Sequence, residues 1–119
     1  MIETKIIRMV QSDDATSLQK ELKSSQLDEL RDEIGKSLLH YAAMSCSIET
    51  VKLLIEMGVS IDSVDEYGNT ALSDAVYYCD NSIVANYLIS NGADPERKNL
   101  HGVSPRELSK SIAGKSWTL

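Results

Sequence analysis

An internal repeat with a spacing of 33 residues constrains this chain more than any other feature of its sequence. The segment DEIGKSLLHYAAMSC (32–46) aligns without a gap with DEYGNTALSDAVYYC (65–79), and six residues are identical. A third copy, NLHGVSPRELSK (99–110), begins one residue later than this spacing requires. A period of this length is typical of solenoids, in which each copy buries its apolar face against its neighbours.

The second half of each copy repeats as well. The segment VKLLIEMGVSID (51–62) matches ANYLISNGADPE (85–96) at an offset of 34, so one residue was inserted around 79–82. The N-terminal segment keeps the rhythm without the motif. Its apolar residues form two helical faces, one with Ile6, Ile7 and Val10 and the other with Leu18 and Leu22. We interpret this segment as a capping repeat.

Each copy carries the signals for a turn followed by two helices. A hydroxyl residue stands where the first helix should begin, and it can accept a hydrogen bond from the backbone there. A glycine precedes this cap in a turn that favours positive φ, and another follows the second helix. The caps are Ser37, Thr70 and Ser104, the turn glycines are Gly35, Gly68 and Gly102, and the closing glycines are Gly58 and Gly92.

The stretches SLLHYA (37–42) and TALSDA (70–75) resemble the T-P-L-H-x-A signature of the ankyrin repeat, whose period is 33. SPRELS (104–109) is similar to a degraded terminal copy, and NGAD (91–94) resembles the loop of the family. The resemblance implies an all-α solenoid of about three and a half helix-turn-helix repeats with projecting loops. We expect one domain over 1–119, with an N-terminal capping repeat at 1–34, repeats at 35–67 and 68–101, and a partial C-terminal cap at 102–119.

Composition excludes several classes of protein. No apolar run approaches the roughly 18 residues that span a bilayer, and charges interrupt the apolar residues of the first dozen positions. We therefore expect a cytoplasmic location and no membrane partner. The formal net charge of −6 disfavours nucleic acid, because binding to nucleic acid depends on lysine and arginine that neutralise phosphates.

The stretch GKS occurs at 35–37 and again at 114–116, and it matches the end of a nucleotide-binding loop. That loop requires a glycine five residues before the second one, where this chain has Leu30 and Ser109. The two histidines lie 61 residues apart and show no ligand spacing of a metal site. We therefore expect no enzyme, with no catalytic residue, no cofactor and no metal.

Cys46 and Cys79 occupy equivalent positions in adjacent copies. Neighbouring helices pack about 8–10 Å apart, whereas a disulfide requires Cα atoms within about 7 Å. We therefore expect two reduced, structural cysteines, in keeping with a cytoplasmic location. The ankyrin resemblance also implies that His40, which lies in the signature, hydrogen-bonds neighbouring backbone.

In ankyrin repeats, partners usually meet the loop tips and the exposed end of each first helix, which together form a concave face. Three tyrosines of one copy fall on such positions, and tyrosine is enriched at interface hot spots. Acidic residues, among them Asp65, Asp74 and Asp80, should surround them and favour a basic partner. Tyr41 and Tyr87 are expected to pack between repeats. The candidate partner-binding residues are Glu33, Ile34, Lys36, Met44, Ser45, Glu66, Tyr67, Asn69, Asp74, Tyr77, Tyr78, Leu100 and His101.

The resemblance implies a protein-binding module, and we expect the protein to be a monomer when free. Several stretches also look like small stand-alone ankyrin proteins of bacteria, some of which are toxin-immunity proteins. Our first hypothesis is an immunity protein that occludes a basic toxin or effector domain. The alternative is a general adaptor or regulatory subunit that binds a housekeeping protein. The C-terminal stretch KSIAGKSWTL (110–119) either covers the core of the last repeat or offers a second surface.

Overall fold

The computed structural model describes residues 2–112 and 117–119, so the second GKS stretch at 114–116 lies outside the described residues. Within this part, the α-helices are α1 (Thr4–Gln11), α2 (Ala15–Glu21), α3 (Leu38–Met44), α4 (Ile48–Glu56), α5 (Ala71–Tyr78), α6 (Ile83–Ser90) and α7 (Pro105–Ser111). A 3-10 helix, Ser24–Glu29, follows α2. None of these helices is both long and apolar enough to cross a membrane.

The first helix of each repeat begins at the predicted cap. Ser37, Thr70 and Ser104 each accept a hydrogen bond through the side-chain oxygen from the backbone N–H three residues later, at 3.1 to 3.4 Å. Each of these bonds satisfies a donor that the first helical turn would otherwise leave unpaired. Pro105 follows the last cap at the first helical position, where it has no intrahelical N–H to lose.

The helices stack as pairs in two layers. In one layer α1, α3, α5 and α7 contact one another in sequence order, and in the other α2 contacts α4 and α4 contacts α6. Apolar side chains fill the space between the layers, and the largest fully buried ones include Leu18, Leu38, Leu39, Leu54, Leu72 and Leu88. The predicted all-α solenoid of helix pairs is confirmed.

The N-terminal helix pair joins the same stack although it lacks the repeat motif. Val10 and Leu18 are fully buried in the shared core. The Ser47 hydroxyl donates to the carbonyl of Val10 at 2.6 Å, and the Asp13 carboxylate accepts from the backbone N–H of Thr50 at 2.7 Å. These bonds join the first pair to the start of α4.

The end of the chain packs back on the last repeat. Trp117 and Leu119 are half-buried and lie against the hydrophobic core. Arg106 of α7 donates to the carbonyl of Leu119 at 2.7 Å. Of the two interpretations of the C-terminal stretch, these contacts support the one in which it covers the core.

Cys46 and Cys79 form a disulfide, so the prediction of reduced cysteines was wrong. Their Cα atoms are 5.7 Å apart, because the spacing of helix axes does not limit residues at the helix ends. Cys46 lies just beyond α3, where a φ of 56° turns the chain, and Cys79 caps the C-terminus of α5. Disulfides are typical of oxidising compartments, so the cysteines no longer argue for a cytoplasmic location.

Candidate functional site: an open cavity beside the projecting turns

Three turns of the same design project from the stack, before α3, α5 and α7. Each begins with an Asp or Asn whose side-chain oxygen accepts hydrogen bonds from the backbone N–H groups two and four residues later. These residues are Asp32, Asp65 and Asn99, and the bonds measure 2.8 to 3.1 Å. The turns therefore share one local structure, which their own side chains hold.

The turns are also bonded to one another. The backbone N–H of Glu66 donates to the carbonyl of Ile34 at 2.8 Å, and that of Leu100 donates to the carbonyl of Tyr67 at 3.0 Å. Gly68 has a φ of 79°, and a Cβ at this position would lie 2.9 Å from the Leu100 nitrogen. Because any side chain there would press on the next turn, glycine is required for the close approach.

Beneath the turns lies a buried ion cluster. The Lys36 ammonium donates to the carboxylates of Asp65 at 2.8 Å and Asp74 at 2.9 Å. The side chains of Lys36, Asp65 and Asp74 are 10%, 0% and 6% exposed. The expectation that these three residues lie on the surface was therefore wrong. Lys36 faces the second turn, which supplies Asp65, and α5, which supplies Asp74.

The two carboxylates of the cluster differ in how well the protein stabilises their charge. Burial opposes ionisation of Asp65, but Lys36 and the backbone N–H groups of Asn69 and Tyr67 outweigh it and lower its pKa. At Asp74 burial dominates and raises the pKa to about 6, although Lys36 acts in the opposite direction. Burial disfavours the Lys36 ammonium, but the two carboxylates outweigh this and raise its pKa.

His40 joins the first turn to the second. Its Nδ1 accepts from the backbone N–H of Ser37 at 3.1 Å, which leaves the proton on Nε2 to donate to the Asn69 carbonyl at 2.8 Å. Burial lowers the pKa of His40, in keeping with a neutral ring, although the Asn69 carbonyl opposes this shift. The predicted hydrogen bond to neighbouring backbone is confirmed.

An open cavity of about 380 Å³ lies over the ion cluster. Buried polar residues form its base and exposed tyrosines its edge. Tyr67, Tyr77 and Tyr78 are 45%, 58% and 50% exposed, and the rings of the latter two meet edge to face with centroids 4.8 Å apart. We call it the tyrosine cavity; it is lined by Ile34, Lys36, Tyr67, Asn69, Ser73, Asp74, Tyr77, Tyr78, Asn99 and Leu108.

The structure distributes the predicted partner-binding residues over three places. The tyrosine cavity brings together Ile34, Lys36, Tyr67, Asn69, Asp74, Tyr77 and Tyr78. The exposed turn tips carry Glu33, Glu66, Leu100 and His101, and the half-buried end of α3 carries Met44 and Ser45. That these residues contact a partner stays a prediction. Tyr41 and Tyr87 are half-buried against the core, as expected.

Three cavity-lining residues were missed by sequence reasoning: Ser73, Asn99 and Leu108. The repeat itself contained the signal for all three. Asn99 takes the place of Asp32 and Asp65 in its turn, Ser73 aligns with His40, and Leu108 aligns with Asp74 at the offset of 34. Extending the alignment to every inward position would have found them.

The arrangement suits binding better than chemistry on a substrate. The buried groups that could move protons are Lys36, His40, Asp65 and Asp74, and all four are engaged in bonds that join one copy to the next. Among the described residues, no group of three or more His, Cys, Asp or Glu is placed to hold a metal ion.

Sequence comparison now defines the class of protein. The model of the family "Ankyrin repeats (3 copies)" matches residues 6–99, so this chain belongs to the ankyrin-repeat family. Ankyrin repeats are protein-binding modules, and the chain is one by family and by architecture.

Its relatives in this family are longer proteins. Protein phosphatase 1 regulatory subunit 27, in human and in mouse, is 41% identical over 76 residues, which cover 62% of this chain and 47% of that protein. BRCA1-associated RING domain protein 1 of Caenorhabditis elegans is 36% identical over 80 residues, 66% of this chain and 11% of that protein. Ankyrin repeat protein OPG189 of variola virus is 34% identical over 83 residues, which cover 61% of this chain and 14% of that protein. The chain thus spans less than half the length of each of them.

Proposed function

We propose that this protein is an adaptor or regulatory subunit that binds a housekeeping protein through the tyrosine cavity and its rim. The observation that carries the proposal is the group of three exposed tyrosines, Tyr67, Tyr77 and Tyr78, around an open cavity on a rigid base. Fold alone does not identify a partner, so the proposal rests on this site.

The physical case for an interface is that these three rings are exposed and that two of them contact each other. A tyrosine has few rotatable bonds, so burying it costs little conformational entropy for a large contact area. Tyr77 and Tyr78 also order each other through their edge-to-face contact. Preorganised aromatic residues around a concave centre are typical of interface hot spots.

The relatives support the adaptor over the immunity hypothesis. One of them is a regulatory subunit by name, which fits a non-catalytic protein that binds another protein. No relative reported above is named for toxin immunity. The immunity hypothesis and the cytoplasmic location stay predictions.

The test is capture of partners by the tagged full chain from a lysate of the cells that produce it. The Tyr77→Ala/Tyr78→Ala variant should bind the partner at least about tenfold more weakly, since hot-spot truncations cost about 2 kcal/mol or more. Ile83→Ala is the matched control, because Ile83 is 59% exposed and lies outside the tyrosine cavity. Purified protein phosphatase 1 serves as one defined candidate partner in a direct binding assay with the same three proteins.

Each result bears on the proposal. A housekeeping protein captured by the wild type and by Ile83→Ala, but lost by the tyrosine variant, supports it. A toxin encoded beside this gene and captured with the same dependence would replace it with the immunity hypothesis. Equal capture by all three proteins would show that the binding surface is elsewhere.

A further inference from the structure

The buried cluster below the tyrosine cavity carries one positive charge between two negative ones. Lys36 is its cation, and Asp65 and Asp74 are its carboxylates. The first turn adds one positive charge, Arg31, and one negative charge, Asp32. The net formal charge of the whole group therefore stays at −1. Arg31 also donates to the carbonyls of Gly35 and Val64, at 2.9 and 3.3 Å.

The excess negative charge lies closest to the cavity at Asp74. The Asp65 carboxylate accepts from two backbone N–H groups in addition to Lys36. Within the described part of the chain, Lys36 is the donor that reaches the Asp74 carboxylate, and only its Oδ2 is used. Asp74 lines the cavity, whereas Asp65 does not. The other oxygen, Oδ1, is not among the buried atoms that lack a partner, so it is open to the cavity, where a cation donor can pair with it.

The walls of the cavity favour a cation as well. The faces of aromatic rings attract cations, and the planar guanidinium of arginine stacks on them better than the ammonium of lysine does. Tyr67, Tyr77 and Tyr78 supply three such rings beside Asp74. The exposed carboxylates of Glu33 and Glu66 at the turn tips add a negative field that draws a basic segment towards this face.

We infer that the tyrosine cavity receives an arginine side chain of the partner protein, with its guanidinium between the tyrosine rings and donating to Asp74. This inference rests on the proposed function and names the chemistry of the group that enters the site. The cavity volume of about 380 Å³ is within the range of sites that enclose small ligands. The partner therefore presents an exposed arginine on a basic segment.

The probe that tests this is a single capped amino acid. The isotope-labelled full chain is titrated with N-acetyl-arginine methylamide and, in parallel, with N-acetyl-citrulline methylamide, which has nearly the same shape without the charge. The backbone amide signals of Tyr67, Ser73, Tyr77 and Tyr78 should shift and saturate in the millimolar range with the arginine probe and stay in place with citrulline.

Variants separate the site from the general acidity of the chain. Asp74→Asn should weaken binding of the arginine probe about tenfold, because it removes a charged hydrogen bond. Tyr78→Ala, at a half-exposed position, should weaken it several-fold and keeps the test open if Asp74→Asn does not fold. Glu56→Gln, an exposed acid of α4 outside the cavity, should leave binding unchanged.

Three outcomes would overturn the inference: no saturable shift in the cavity, equal binding of citrulline, or an equal effect of Glu56→Gln. They differ from failure of the proposed function. A partner that is lost by the tyrosine variant but bound normally by Asp74→Asn keeps the proposed function and rejects the arginine. A partner that binds the tyrosine variant as tightly as the wild type would contradict the proposed function, even if the cavity binds the arginine probe.

Discussion

The two central repeats have the same backbone plan but different chemistry at equivalent positions. Where the first repeat has Lys36, His40 and Tyr41, the second has Asn69, Ser73 and Asp74. These positions meet across the boundary between the repeats, where Lys36 binds Asp74 and His40 binds the Asn69 carbonyl. The difference shows that the copies are complementary rather than interchangeable.

The exposed positions differ in the same way. Ile34, Met44 and Ser45 of the first aligned segment (32–46) are half-buried, while their equivalents in the second (65–79) are the exposed Tyr67, Tyr77 and Tyr78. The first segment therefore provides support, and the second provides the surface that we propose binds a partner. In contrast, Cys46 and Cys79 are identical in both copies and join them covalently.

Removing the cation from the boundary should have the largest effect on stability. Lys36→Met leaves Asp65 and Asp74 buried without their shared partner, so we expect a loss of about 3–5 kcal/mol in the free energy of unfolding. Urea denaturation measures it. Lys52→Met is the control. The Lys52 side chain is 45% exposed, lies 3.9 Å from Glu49 and sits 5.8 Å from the centroid of the Tyr87 ring, so the change in stability should be below about 1 kcal/mol. Equal losses in the two variants would contradict the importance of the cluster.

Breaking the covalent link should come next. The disulfide joins residues 33 apart, and a loop of this length gives about 3–4 kcal/mol by the chain-entropy model. Reductant should remove this stability from the wild type and leave Cys46→Ser, which cannot form the bond, unchanged. Unfolding measured with and without reductant decides it. A wild type that is insensitive to reductant would show that the cysteines are not bridged.

Titrating the boundary should have the smallest effect. The pKa of Asp74 is raised from its ordinary 3.8 to about 6, so the folded state binds this proton more tightly than the unfolded state does. Its contribution to stability is complete below pH 3.8 and is lost as the pH rises through 6. Between about pH 7 and pH 5 the wild type should gain about 1 kcal/mol relative to Asp74→Asn.

The stability of the wild type is compared with that of Asp74→Asn because other groups also titrate over this pH range. The pKa values of Asp32, Asp65 and His40 are lowered in the folded protein, so each of these groups loses stability as the pH falls. They are present in both proteins, so the difference reports Asp74 together with its coupling to the neighbouring charges of Lys36, Asp65 and Asp32. Asp80→Asn, at an exposed position, should show no such difference from the wild type. Parallel stability curves for the wild type and Asp74→Asn would disprove the assignment.

Much of the site could be predicted from single positions. Exposure of Tyr67, Tyr77 and Tyr78 followed from the repeat register, which places them at the turn tip and at the free end of a first helix. The burial of Lys36 and Asp74 did not follow from the repeat register, because a charged side chain is solvated unless a partner from another repeat covers it. Their contact joins residues 38 apart and is visible only when the copies are stacked.

The sequence by itself determined the helix pairs, their caps and the turns with positive φ, because these depend on residues a few positions apart. It also determined the family, because the period and the signature can be read from the sequence of the repeats without their packing. Only the tertiary structure decided that Cys46 meets Cys79 and that Lys36 lies between two carboxylates. Those contacts depend on how closely two repeats pack, and that distance is set by all the side chains between them.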